Sequence, residues 1–151
     1  MVRHRFNWKR VSAASALCYR WDGRRARLYF QTRPGAYNDV GLISFLEELR
    51  HHFRGERVLL LWDGLSSHHS LVMKAYLETQ RSWLRIERMP AYAPELNPVE
   101  GFWGHLKGGV MANRGDDTVE ELIELASGGV RRARSQQRVL FGFLGQAGLP
   151  L

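Results

Sequence analysis

Cysteine is almost missing from this chain of 151 residues. A lone Cys18 excludes an internal disulfide framework and a cysteine-rich zinc centre. Long apolar runs are missing too: the longest is Val58 to Trp62, far too short to cross a bilayer. The first ten residues contain no acidic side chain and no apolar segment behind their basic ones, so no secretory signal is expected. Proline is sparse, and no Pro-rich linker, internal repeat or low-complexity tract divides the chain, so one domain over residues 1–151 is expected. Together these absences suit a bacterial-type cytoplasm or a nucleus better than the outside of a cell.

Lysine is the other scarcity. Of 22 basic residues, 19 are arginine and three are lysine, and the formal net charge is +7. The guanidinium fork grips phosphate oxygens with paired hydrogen bonds, whereas lysine acts as a point charge. A chain of this balance is drawn to polyanions, nucleic acid first among them. The cluster Arg131-Arg132-Ala133-Arg134 with Arg138 is either part of such a surface or a solvated helix face.

Hydropathy patterning gives a mixed α/β order. Val11–Tyr19 and Arg25–Gln31, separated by the turn signal Asp22-Gly23, read as a β-hairpin. Leu42, Phe45, Leu46, Leu49 and Phe53 fall at helical spacing, with Asp39 as cap and Gly55 as stop. The continuous run Val58–Trp62 reads as a strand covered on both faces. Ser66 or Ser67 is expected to cap a helix turning Leu71, Val72, Ala75 and Tyr76 inward. Leu84, Ile86 and Arg88 mark another strand. Asn97-Pro98 opens a helix whose apolar stripe is Val99, Phe102, Trp103, Leu106 and Val110. A last helix starts near Asp117, buries Val119, Leu122 and Ile123, and falters at Gly128-Gly129. Part of the sheet is expected to be parallel.

Two carboxylates are candidates for chemistry. Asp63 follows the buried apolar strand, where open α/β sheets place ligand groups. Glu100 lies in the first turn of the helix begun by Asn97-Pro98. Brought together, they would suit a hard divalent cation such as magnesium. The plainer alternatives are a capping box between Asn97 and Glu100 and a simple turn at Asp63-Gly64. A glycosidase pair is a third reading, poorly matched by the basic charge. A non-catalytic nucleic-acid-binding module is a fourth. The neighbouring pairs His51-His52 and His68-His69 diverge on a helix and make no shared metal site. His105 and Lys107 read as solvated helix residues, and Cys18 as inert core.

Two ordered blocks carry a family resemblance. The first is Leu60-Leu61-Trp62-Asp63-Gly64-Leu65-Ser66-Ser67-His68. The second runs Met89-Pro90-Ala91-Tyr92-Ala93-Pro94-Glu95-Leu96-Asn97-Pro98-Val99-Glu100-Gly101-Phe102-Trp103-Gly104-His105-Leu106-Lys107. They resemble the catalytic region of DDE transposases, in particular the mariner-related transposases of bacterial insertion sequences, over about Phe6 to Leu125. The resemblance implies an RNase H-like α/β fold, a mixed sheet with flanking helices. It implies cleavage and joining of DNA strands with Mg2+ or Mn2+ in a two-metal site. Asp63 would be the second catalytic carboxylate and metal ligand, and Glu100 the third. His68 would support its loop or the DNA, Lys107 would contact phosphate, Asn97 would support the site, and Trp103 would pack in the core. Gly64 departs from the family's usual Asn.

The family's first catalytic Asp lies on a central strand before the hairpin, and no segment here matches it. The expectation is therefore an amino-terminally truncated catalytic domain without that strand and without a helix-turn-helix DNA-binding domain, inactive alone. Such a chain is either a gene remnant or one part of a split or frameshifted enzyme completed by an upstream transposase fragment. DNA (element ends and target) is the implied partner, a homodimer is possible in this family, and the cellular place would be the nucleoid.

Overall fold

The computed structural model describes residues 11–62, 70–90, 93–110 and 119–149. The hairpin forms as expected. Strand β1 (Val11–Tyr19) pairs antiparallel with β2 (Ala26–Pro34), with Leu17 opposite Leu28. Gly23 takes the left-handed φ of 69° that the turn demands, and Asp22 Oδ1 accepts from the Arg24 N–H at 3.0 Å. Helix α1 (Asp39–His52) buries Leu42, Phe45, Leu46 and Leu49. Its cap is Asn38, whose side chain accepts from the Gly41 N–H, and the expected cap Asp39 lies in the first turn instead. Gly55, at φ 84°, turns the chain away beyond the helix end.

Strand β3 (Val58–Trp62) pairs in parallel with β4 (Leu84–Arg88). The hairpin and the parallel pair are two separate two-stranded sheets. This corrects the expectation that β3 is covered on both faces: Leu59 is 59% and Leu61 46% exposed. Val58, Leu60 and Trp62 pack on one side, but no described helix closes over the other.

Helix α2 (Leu71–Thr79) is capped by Ser70, which accepts from the Met73 N–H at 3.0 Å, and not by Ser66 or Ser67, which lie outside the described residues. The later start rotates the inward face. Met73, Tyr76 and Leu77 face the core, while Leu71 and Val72 are 83% and 56% exposed. A 3-10 turn at Pro94–Leu96 leads into α3 (Pro98–His105), which passes without a break into a π-helical turn over Leu106–Val110. Helix α4 (Val119–Ser135) runs straight through Gly128-Gly129, where a break was expected; Gly129 is buried there, one residue before the core residue Val130. Helix α5 (Gln137–Gln146) follows at once, an element the periodicity did not separate.

Two cores result. One lies between α1, α2 and the β1, β3 and β4 side chains, with Ala14, Ala16, Leu46, Met73 and Leu84 at its centre. The other lies on the opposite face of the hairpin, where Ala26 and Leu28 meet Phe102, Leu106, Val130 and Leu140 from α3, the π turn, α4 and α5. The hairpin is thus buried on both sides, which explains the small side chains of β1. Burial pushes the Cys18 thiol up to about 12, against a weaker opposing pull from Arg27.

Three outcomes follow from this packing. Phe102→Ala should destabilise the chain by about 3–5 kcal/mol in urea unfolding, against less than about 0.5 kcal/mol for Leu71→Ala. Ser70→Ala should cost about 1 kcal/mol in the same assay, whereas Ser66→Ala should be near neutral. At pH 8 the Cys18 thiolate should be roughly a thousandfold scarcer than in an unperturbed thiol, so alkylation of the native chain should be correspondingly slow and should speed up in denaturant.

Candidate metal and nucleic-acid site

Glu100 is the third residue of α3, and its surroundings decide between capping and chemistry. Asn97 caps the helix alone: its side-chain oxygen accepts from the Val99 N–H at 3.1 Å. The N–H of Asn97, which a capping-box glutamate would have to reach, is already bonded to the Pro94 carbonyl at 3.0 Å. The reciprocal half of a capping box is therefore not formed, and the half-buried Glu100 carboxylate is left for other work.

Two turns further on, Lys107 occupies the π-helical segment. Lys107 is half-buried, which corrects the expectation of a solvated residue. Burial lowers its pKa, and the negative charge of Glu100 opposes that shift. The two groups thus sense each other along one face of the helix. A π turn widens the helix by one residue and re-aims the side chains beyond it. His105 is exposed and lies against the Phe143 ring, 5.8 Å between centroids. Trp103 is core, packed against Phe30 and Phe102.

Asp63 and His68 lie outside the described residues. The end of β3 does not. The Trp62 carbonyl accepts from the Met89 N–H at 3.0 Å, so the ends of β3 and β4 are tied together. Trp62, Met89, Asn97, Pro98 and Val99 line one and the same cavity. The residue before Asp63 and the residue before Glu100 thus both border that cavity. Among the described residues no group of three or more His, Cys, Asp and Glu side chains could hold a metal ion.

The basic residues divide. Arg131, Arg132 and Arg138 are exposed on α4 and α5, as a solvated or polyanion-facing surface requires. Arg134 is committed: its Nε donates to the Leu28 carbonyl at 2.8 Å. A second basic group, Arg20, Arg25, Arg27 and Arg57, borders the cavity beside β1 and β3 with Glu56 as the acidic member. Sequence reading missed that group, because its members come from four separate positions around the hairpin turn and the start of β3.

No curated protein sequence matches the chain at a significant level. Among solved structures, the Mos1 transposase catalytic domain with raltegravir and Mg is similar at a TM-score of 0.61 and 18% identity, covering 91% of this chain and 79% of that one. The corresponding structure with Mn gives 0.58 and 18%, covering 91% and 78%. The catalytic domain of the Mos1 mariner transposase gives 0.51 and 16%, covering 93% and 83%. The shared architecture is the RNase H-like fold expected from the sequence, here built from two small sheets and flanking helices. No described helix is long and apolar enough to cross a membrane. Residues 2–123 match the DDE superfamily endonucleases, and with four-fifths of its length inside that match the chain belongs to this family.

Proposed function

We propose that the chain is the larger part of a transposase catalytic domain of the insertion-sequence type. Its intact form would cut DNA at element ends and transfer the freed 3′-hydroxyl to target DNA. The observation that carries this reading is the Glu100 carboxylate, left out of helix capping at the start of a helix that borders the same cavity as the end of β3. Asp63 and Glu100 would hold Mg2+ or Mn2+. The donor chemistry fits, since both are oxygen ligands of the kind these hard cations take. When bound, such ions lower the pKa of a hydroxyl nucleophile and offset charge on the scissile phosphate.

The chain's own residues have separable tasks. Lys107 would hold a phosphate oxygen close to Glu100, whose negative charge opposes the lowering of the lysine pKa by burial. Asn97 fixes the first turn of α3 and so the direction in which Glu100 leaves the helix. His68 would support the loop after β3. The exposed arginines would hold the DNA backbone without reading its sequence. Asp63 and Glu100 would be two of the three carboxylates that the family's site uses, and an upstream transposase segment would supply the other. A DNA-acting enzyme of this kind works at the nucleoid, in the cytoplasm.

The test is nicking of supercoiled DNA in Mg2+ or Mn2+ by the 151-residue chain, with and without the upstream segment added in trans. Cleavage should appear only with both parts and should fall to background in Asp63→Ala or Glu100→Ala. Cleavage that ignores both substitutions, or that needs no metal, would refute the assignment.

A basic nucleic-acid-binding module is the second reading, and the exposure of Arg131, Arg132 and Arg138 favours it as a function of that one surface. Binding to duplex DNA should weaken with salt and survive Glu100→Ala. Each arginine that contacts phosphate should lower the salt slope by about 0.9 when changed to alanine. An unchanged slope in the triple variant would make that surface merely solvated.

A further inference from the structure

A histidine in the last turn of a helix sits at the negative end of the helix dipole, which favours its charged form. His52, in the last turn of α1, is held in the opposite state. Arg27 Nη1 and His52 Nε2 lie 3.2 Å apart. A guanidinium can only donate, so Nε2 accepts and the imidazole is neutral, with its proton on Nδ1. Burial lowers the His52 pKa first, and the charges of Arg27, Arg134 and Arg25 lower it further, against an opposing pull from Glu56.

The fold gathers this cluster from three elements. Ala26 and Leu28 are buried in the core under α3, α4 and α5, so Arg27 and Tyr29 lie on the other face of β2, toward α1. His52 meets them there. Its ring stands edge to face with Tyr29, centroids 4.9 Å apart, and Arg27 lies over the Phe53 ring at 5.7 Å. Arg134 arrives from α4, anchored by its Nε on the Leu28 carbonyl at 2.8 Å, a bond that leaves its two terminal nitrogens unused. Gln137 bonds both main-chain groups of Ala26 and so sets the start of α5 beside Arg25 and Arg27.

The acidic neighbours are engaged elsewhere. Glu48, one turn before His52, accepts from Gln31 Nε2 at 2.8 Å, and Glu56 is reached by Arg20 at 3.9 Å. Tyr29 and Cys18, the other titratable groups beside Arg27, stay neutral because burial raises both. Among the described residues no carboxylate pairs with Arg25, Arg27 or Arg134. A half-buried guanidinium bonded to a neutral imidazole keeps its charge unbalanced.

We propose that Arg27 and His52 form a seat for a phosphodiester of DNA, one phosphate oxygen accepting from both the guanidinium and the Nε2–H of a protonated His52, with Arg25 and Arg134 as flanking cations. Protonation turns Nε2 from acceptor to donor. The Arg27–His52 bond is then lost, and two cations 3.2 Å apart repel unless an anion bridges them. Arg131, one turn before Arg134 on α4, is exposed and extends the row, which suits a polymer of phosphodiesters better than a single small anion. Bound phosphate favours charged His52 and so raises the pKa that the arginines lower. Binding therefore strengthens as pH falls through the raised value and levels off below the lowered one. The seat rests on the nucleic-acid reading of the arginine surface and uses none of Asp63, Glu100 and Lys107.

The probe is a mixed-sequence duplex oligonucleotide in EDTA at fixed ionic strength, read by fluorescence anisotropy and by NMR titration of the histidine rings. A phosphodiester does not titrate near neutrality, so the pH dependence belongs to the protein. The His52 titration midpoint should rise on saturation with duplex, and by more than that of its exposed neighbour His51. Affinity should be about tenfold tighter at pH 5.5 than at pH 8, and His52→Gln, a change at an exposed position, should lose most of that gain. Duplex binding with an unmoved His52 midpoint would overturn the seat and leave the arginine surface standing. No binding at either pH would overturn both. An equal rise with poly-glutamate would assign the seat to acidic protein and overturn it as well. Since no cleavage is read, each of these results leaves the metal-site assignment to its own test.

Discussion

Main-chain N–H and C=O groups in a strand must find partners, and in this molecule that requirement sets the arrangement of nearly everything else. The hairpin is the central body, buried on both faces, so neither of its edges can rely freely on water. On the β2 side the sequence answers with long-range bonds from Gln137 and Arg134, more than a hundred residues away. Tyr19 adds a third tie, its hydroxyl donating to the Leu140 carbonyl at 2.7 Å. These bonds dock α4 and α5 against the hairpin and, through the shared core, fix α3 with its Glu100. The position of Glu100, the proposed metal ligand, is thus set by the sealing of the β2 edge of the hairpin.

What could be read from sequence was whatever has a short period. The hairpin, α1, β3, β4 and α3 all announce themselves by alternation, by helical spacing or by a turn pair such as Asp22-Gly23. The ordered block from Met89 to Lys107 also carried the family assignment. What could not be read depends on contacts between distant residues. Leu71 and Val72 carry apolar side chains on a helix, yet which of its residues face inward is set by where Ser70 starts it. Gly128-Gly129 looks like a break, but two glycines are tolerated where tight packing holds the helix in place. The uncovered face of β3 is invisible in Val58–Trp62, since an apolar run tells what a strand would bury and not what arrives to bury it.

The same division holds for the site. Glu100 and Asn97 were legible because cap chemistry and the resemblance both point at the first turn of α3. That Asn97 already bonds within its own turn, so that Glu100 is not needed for the cap, depends on Pro94 and its 3-10 turn, which no residue pattern specifies. Lys107 looked like a surface cation, and its half-burial in the π turn is a tertiary outcome that no residue pattern specifies. Asp63 and His68 lie outside the described residues.

The exposed leucines of β3 bear on how a solution of this protein behaves. Leu59 and Leu61 are large apolar side chains left exposed on β3, the kind of surface that adheres to its like in neighbouring molecules. Against that adhesion stands a net charge of +7, nearly all of it on arginine, which keeps molecules apart over a screening length of about 10 Å at 0.1 M salt. Colloidal stability in this chain is therefore an electrostatic property placed over an adhesive patch. Added salt or a polyanion that neutralises the arginines weakens the repulsion and leaves the adhesion intact.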